Sequence, residues 1–178
     1  NLPLGSAMIF TGSMGELFDP TRPVEEVYRV FNAIEKYPQH RFQILTKNPE
    51  LAWELEIPNN AWIGVSINKM DELCRVADLA QIEATMRFIS FEPLHSLIVT
   101  KEIIEGKTYL YYPARFKKMD WFIVGAETGN RKEKITPKKE WIQSIINISE
   151  EYEIPIFMKD NLKPYWNEEL IQQFPLEL

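Results

Sequence analysis

A repeating rhythm constrains this chain more than any single motif. Six short apolar segments each close in small polar or charged residues, and helix-forming or loop sequence follows each one. The segments are Met8–Thr11, 42–45, 62–65, 88–89, Trp121–Val124 and 154–158. Their starts lie about 20 to 35 residues apart, with no tight hairpin turn between them. That spacing suits right-handed strand–helix–strand crossovers and predicts a parallel sheet. Parallel strands share one direction, so their C-terminal tips gather at one face, where α/β proteins build sites. The tips read Thr11-Gly12-Ser13-Met14, Thr46-Lys47-Asn48, Ser66-Ile67-Asn68, Ser90-Phe91-Glu92, Gly125-Ala126-Glu127-Thr128 and Lys159-Asp160-Asn161.

A complete eight-stranded barrel ordinarily needs about 250 residues. The chain has 178. Six units predict an α/β fold, an incomplete TIM-type (βα) barrel of about six parallel strand–helix units, lacking a piece at the N-terminus. A doubly wound open sheet is the alternative. Residues 1–178 read as one domain, with a loop or hairpin insertion at about 96–119, where no amphipathic helix is visible.

The uninterrupted apolarity of Met8–Thr11 predicts a strand buried on both faces. Val24, Val27, Tyr28, Phe31 and Ile34 recur at helical spacing after Asp19-Pro20 and Thr21-Arg22-Pro23. Asn48-Pro49 predicts a short helix. Met70, Leu73, Cys74, Ala77 and Ala80 mark one face of another, which would bury Cys74. Thr136-Pro137 opens a helix bearing Trp141, Ile142, Ile145 and Ile148, and Asn167 is expected to cap a last one with Leu170, Ile171 and Phe174.

The net charge of −6 weighs against a general nucleic-acid coat, though it permits a local basic groove. One cysteine excludes an internal disulfide framework and fits a reducing cytoplasm. No apolar run approaches the roughly 20 residues of a membrane span, and no signal peptide is visible, so a cytoplasmic protein without a membrane partner is expected. A chain that opens on Asn1 reads as trimmed or partial.

Glu92 and Glu127 occupy equivalent positions past consecutive strands. Neighbouring strands lie about 5 Å apart, so the two carboxylates can share a site that binds an ammonium group or a metal or transfers protons. The alternative is that they anchor loops or cap helices. Lys47 and Lys159 can hold a carboxylate or phosphate, or balance those glutamates. Gly12-Ser13-Met14-Gly15 and Gly125-Ala126-Glu127-Thr128-Gly129 allow close backbone approach, yet lack dinucleotide and P-loop spacing. Asp160 and Asn161 suit helix capping. His95 can reach the mouth, although a lone loop histidine is more often structural; His40 precedes its strand and belongs to the opposite, stability face. The aromatic and basic tract at 109–118 can clamp a nucleotide or single strand, or simply pack as a crossover.

Several segments taken in order carry a family resemblance. They are Ile9-Phe10-Thr11-Gly12-Ser13-Met14-Gly15-Glu16-Leu17-Phe18, Gln39-His40-Arg41-Phe42-Gln43-Ile44-Leu45-Thr46-Lys47, Trp62-Ile63-Gly64-Val65-Ser66, Phe88-Ile89-Ser90-Phe91-Glu92-Pro93-Leu94, Asp120-Trp121-Phe122-Ile123-Val124-Gly125-Ala126-Glu127-Thr128-Gly129 and Phe157-Met158-Lys159. Together they resemble a phage-associated family named after gene products thirty-seven and sixty-eight, related to spore photoproduct lyase within the radical S-adenosylmethionine (SAM) superfamily. The resemblance implies a barrel that binds SAM and a four-iron, four-sulfur cluster held by three cysteines ahead of Asn1. Reduction of that cluster would cleave SAM to a 5′-deoxyadenosyl radical, which abstracts hydrogen from a nucleic-acid or nucleotide substrate. The three-cysteine segment is not in this chain, and Cys74 cannot replace it. The stretch alone is therefore expected to be inactive and to bind neither cofactor tightly.

By strand order the resemblance sets Gly12 and Ser13 toward the methionine moiety and Ser66 and Asn68 toward the ribose. Ser90 and Glu92 would lie near the adenosine or methionine groups, and Lys47, Glu127 and Lys159 on the substrate side. Two rivals stand beside this reading. One is a non-catalytic phage-associated barrel that binds nucleotide or nucleic acid. The other is a metal-free barrel enzyme using Glu92, Glu127 and Lys159.

Overall fold

A computed structural model describes residues 5–12, 15–98, 100–104, 107–111 and 114–175. The strands are β1 (Met8–Thr11), β2 (Arg41–Thr46), β3 (Ala61–Ser66), β4 (Met86–Phe91), β5 (Thr100–Ile104), β6 (Lys107–Tyr111), β7 (Trp121–Val124) and β8 (Ile156–Met158). The α-helices are α1 (Val24–Glu35), α2 (Cys74–Leu79) and α3 (Lys139–Tyr152). Six strands form one parallel sheet in the order β1-β2-β3-β4-β7-β8, curled into a half-barrel. The insertion contains a separate antiparallel hairpin, β5–β6.

Strict alternation of strand and helix does not hold. The connection from β2 to β3 contains a 3-10 turn, Pro49–Ala52, in place of an α-helix. Pro49 starts that turn and Pro58 lies before β3, so little chain is left that can propagate a helix. By contrast, α1 starts directly after Pro23, whose fixed φ suits a helix entry, with Glu25 and Glu26 in its first turn. It buries Val27, Phe31 and Ile34.

The two sheet faces are packed differently. On the helix side Ile44, Ile63, Ile89 and Phe122 meet residues of all three α-helices in the main core. On the helix-free side Trp62, Met86, Phe88, Trp121 and Ile123 form a second cluster, with Met8, Leu45 and Phe157 against it. Trp121 is its hub, 6.2 Å from Trp62 and 6.3 Å from Phe88 and from Phe157, centroid to centroid. Gly64 makes room for this packing: a Cβ there would come within 2.5 Å of the Phe88 ring.

Three expectations about burial and helices are corrected. Among the described residues β1 is an edge strand, with Phe10 48% exposed, and is not buried on both faces. Cys74 is exposed, because the 3-10 turn Met70–Glu72 breaks the helix and shifts its phase; Val76 and Leu79 take the core face. Among the described residues no helix follows Asn167. The 171–173 segment runs extended along β8, with an antiparallel bridge between Phe157 and Gln172. The Met158 N–H donates to the Ile171 carbonyl (2.8 Å) and the Gln173 N–H to the Ile156 carbonyl (2.9 Å). A short isolated helix is marginal, whereas this segment satisfies backbone groups of an exposed edge.

His40 is fully buried just before β2, between Tyr37 and Phe42, at the stability face where the sequence places it.

Candidate functional site at the strand tips

Side chains two residues apart share a sheet face. Following the helix-free face along each strand, the aromatics of the lower half give way to Ser66 on β3 and Ser90 on β4, then to Lys47, Glu92 and Lys159 beyond the strand ends. Ser66 and Ser90 are register partners, both buried.

At the β1–β3 end of this surface is a cleft of about 310 Å³ lined by Phe10, Gly12, Gly15, Glu16, Leu45, Thr46, Lys47 and Ser66. Gly12 adopts a positive φ of 80°, and its carbonyl accepts the Gly15 N–H at 3.0 Å. A side chain at Gly12 would be strained and crowd that turn. Glu16 directly follows this glycine turn and carries no motif that marks it in the sequence. Its carboxylate accepts the Phe18 N–H at 3.2 Å and the Lys47 N–H at 2.9 Å, tying the β1 loop to the β2 tip. The exposed Lys47 side chain has no ion-pair partner among the described residues. Ser13, expected to face the methionine moiety, lies outside the described residues.

At the β4–β8 end, Lys159 Nζ contacts Glu92 Oε2 at 2.5 Å, and Asn161 Nδ2 is 3.4 Å from Glu92 Oε1. The Asn161 side chain also pairs with both the N–H and the carbonyl of Ala126, each at 3.0 Å. It sits in the 3-10 turn Asp160–Leu162 and stitches the β7 and β8 tips together instead of capping an α-helix. Gly125 lets Glu92 approach, since a Cβ there would come within 2.7 Å of Oε1.

Glu127 is engaged elsewhere. Its Oε2 accepts the Ile135 N–H at 3.1 Å, and Arg131 is 3.4 Å from Oε1. His95 Nε2 lies 3.3 Å from Oε2, at ion-pair distance but without hydrogen-bond alignment. The Ile135 N–H first, then the charges of Arg131 and His95, hold the Glu127 carboxyl below its ordinary range. The two glutamates therefore belong to two clusters, one built on Lys159 and Asn161 and the other on the 131–135 loop and His95. The His95 N–H donates to the Asn68 carbonyl at 2.9 Å, while the Asn68 N–H donates to Glu72 at 2.6 Å. Asn68 is thus held as a loop staple, with its side-chain oxygen buried and unpartnered.

The donor set does not suit an iron–sulfur cluster. The single cysteine is exposed on α2, and the described residues contain no group of three or more His, Cys, Asp or Glu able to hold a metal. Among the described residues no helix is long and apolar enough to cross a membrane.

The chain belongs to a family of proteins of unknown function, DUF5131, which it matches over residues 5–171. No curated protein and no solved structure matches it.

Proposed function

We propose that the strand tips bind SAM or a closely similar nucleoside ligand, as the ligand-holding part of a radical SAM-like barrel of TIM type. One observation carries this reading: Gly12, Lys47 and Ser66, supplied by three different strands, line a single cleft. Chemically, the lining suits a zwitterionic nucleoside. The glycine turn permits close backbone approach, Lys47 is available to a carboxylate, and Ser66 offers a hydroxyl. Glu16 presents negative charge for an ammonium or sulfonium group. Glu92, held by Lys159, extends the same polar surface toward the adenosine or methionine groups of the ligand, and Lys159 borders the substrate side.

The four-iron cluster does not fit the described residues, so no step is assigned through it. The rival in which Glu92, Glu127 and Lys159 act together loses support, because Glu127 is engaged with the 131–135 loop. An intracellular setting remains part of the proposal.

The test is a titration of the chain with SAM, followed by backbone amide NMR shifts. Saturable changes at Gly12, Gly15, Lys47 and Ser66, weakened in Lys47→Ala, are expected. No change at millimolar SAM, or changes confined to another surface, would remove the assignment.

A further inference from the structure

We infer that the 131–139 segment is a phosphate-binding rim that carries the backbone of a single-stranded nucleic acid across the strand tips. This rests on the tips being the ligand site. The segment contains Arg131, Lys132, Lys134, Lys138 and Lys139 against one carboxylate, Glu133, in a chain whose net charge is −6. All five cations are exposed. Positive charge is thus concentrated where the chain leaves β7, at the end of the sheet that holds Glu92 and Lys159.

The loop is fastened to the tips. The Glu127 carboxylate takes both Arg131 and the Ile135 N–H, and Pro137 is buried. Lys139 is balanced by Glu168 and lies over Trp166, and Lys138 lies over Trp141. Lys132 and Lys134 have no ion-pair partner among the described residues. They sit on the span that Glu127 fastens, which makes them the cations most available to an anion.

Two features favour a polymer over a lone phosphate. The charges are strung along nine residues, as successive phosphates require, instead of converging on one point. The nucleoside reading of the tips also favours a strand: an enzyme acting on a base must receive it unstacked, which a single strand provides at least cost. Because the rest of the chain is acidic, binding should depend on few phosphates. Contacts to about three phosphates of a single strand give a log–log salt slope near −2.

The experiment measures fluorescence anisotropy of a labelled 12-nucleotide oligo(dT) with the whole chain from 50 to 200 mM salt. The double variant Lys132→Glu/Lys134→Glu is compared with Lys117→Glu, on the 3-10 turn Ala114–Lys118 that precedes β7. The double variant should lose at least tenfold in affinity and flatten the salt slope by about 1.4, two phosphates at about 0.7 each. Its SAM-induced amide shifts should be unchanged. An equal loss in Lys117→Glu, or no loss in the double variant, would overturn the rim. Equal binding of duplex DNA or of phosphatidylserine vesicles would overturn the single-strand assignment. Absent SAM shifts with the oligonucleotide result intact would instead overturn the reading of the cleft alone.

Discussion

The lower half of the helix-free sheet face and the tips of the same strands obey one backbone geometry but spend it differently. Below, Trp62, Phe88, Trp121 and Ile123 interlock and are at most 9% exposed. At the tips the same alternation places Ser66, Ser90, Glu92, Lys47 and Lys159, with glycines in the adjoining turns. In the curled half-barrel the lower aromatics supply the packing of this face. The tips are thereby released from a packing role and can hold charge.

Variants can break or sharpen this division. The largest effect should come from the lower half: Phe88→Ala removes a ring packed against Trp121 over Gly64 and should cost about 3–5 kcal/mol in urea unfolding. A loss below about 1 kcal/mol, typical of less critical sites, would show that the lattice is dispensable. Gly64→Ala drives a methyl into the Phe88 ring and should cost about 1–3 kcal/mol. Phe10 tests whether an aromatic must belong to the lattice to matter. It is exposed on the edge strand β1, so Phe10→Ser should change stability by within about 0.5 kcal/mol.

The smallest effect at neutral pH concerns the loop at the β7 tip. The Glu127 pKa is depressed in the folded chain, so its contribution is fully present above the unfolded carboxylate pKa. It is lost only as pH falls through the lower folded value. The Ile135 amide shift should therefore have its midpoint below the ordinary carboxylate value, with no such transition in Glu127→Gln. A transition above pH 5 would contradict the assigned cause.

How far the sequence could be read follows from which interactions are local. The parallel strands were legible because burial imposes continuous apolar runs, and Trp121–Val124 coincides with its predicted bounds. The extended 171–173 segment was not, since Leu170, Ile171 and Phe174 also satisfy a helical period and only the open edge of β8 decides between them. The phase of α2 was hidden because a 3-10 turn leaves no distinct sequence mark. At the site, gathering Gly12, Lys47 and Ser66 required only strand order. Separating Glu92 from Glu127 required the 131–135 loop, whose return to β7 no spacing rule predicts.

The central claim, that the tips serve binding while the lower lattice serves stability, is tested most directly on the Glu92–Lys159 pair. Glu92→Gln combined with Lys159→Met removes both charges together and leaves neither unpaired. For a partly exposed pair the account predicts stability within about 1 kcal/mol of the parent in urea, together with at least tenfold weaker SAM binding by the same amide shifts. A loss of several kcal/mol with SAM binding intact would contradict it and make the pair a structural clasp.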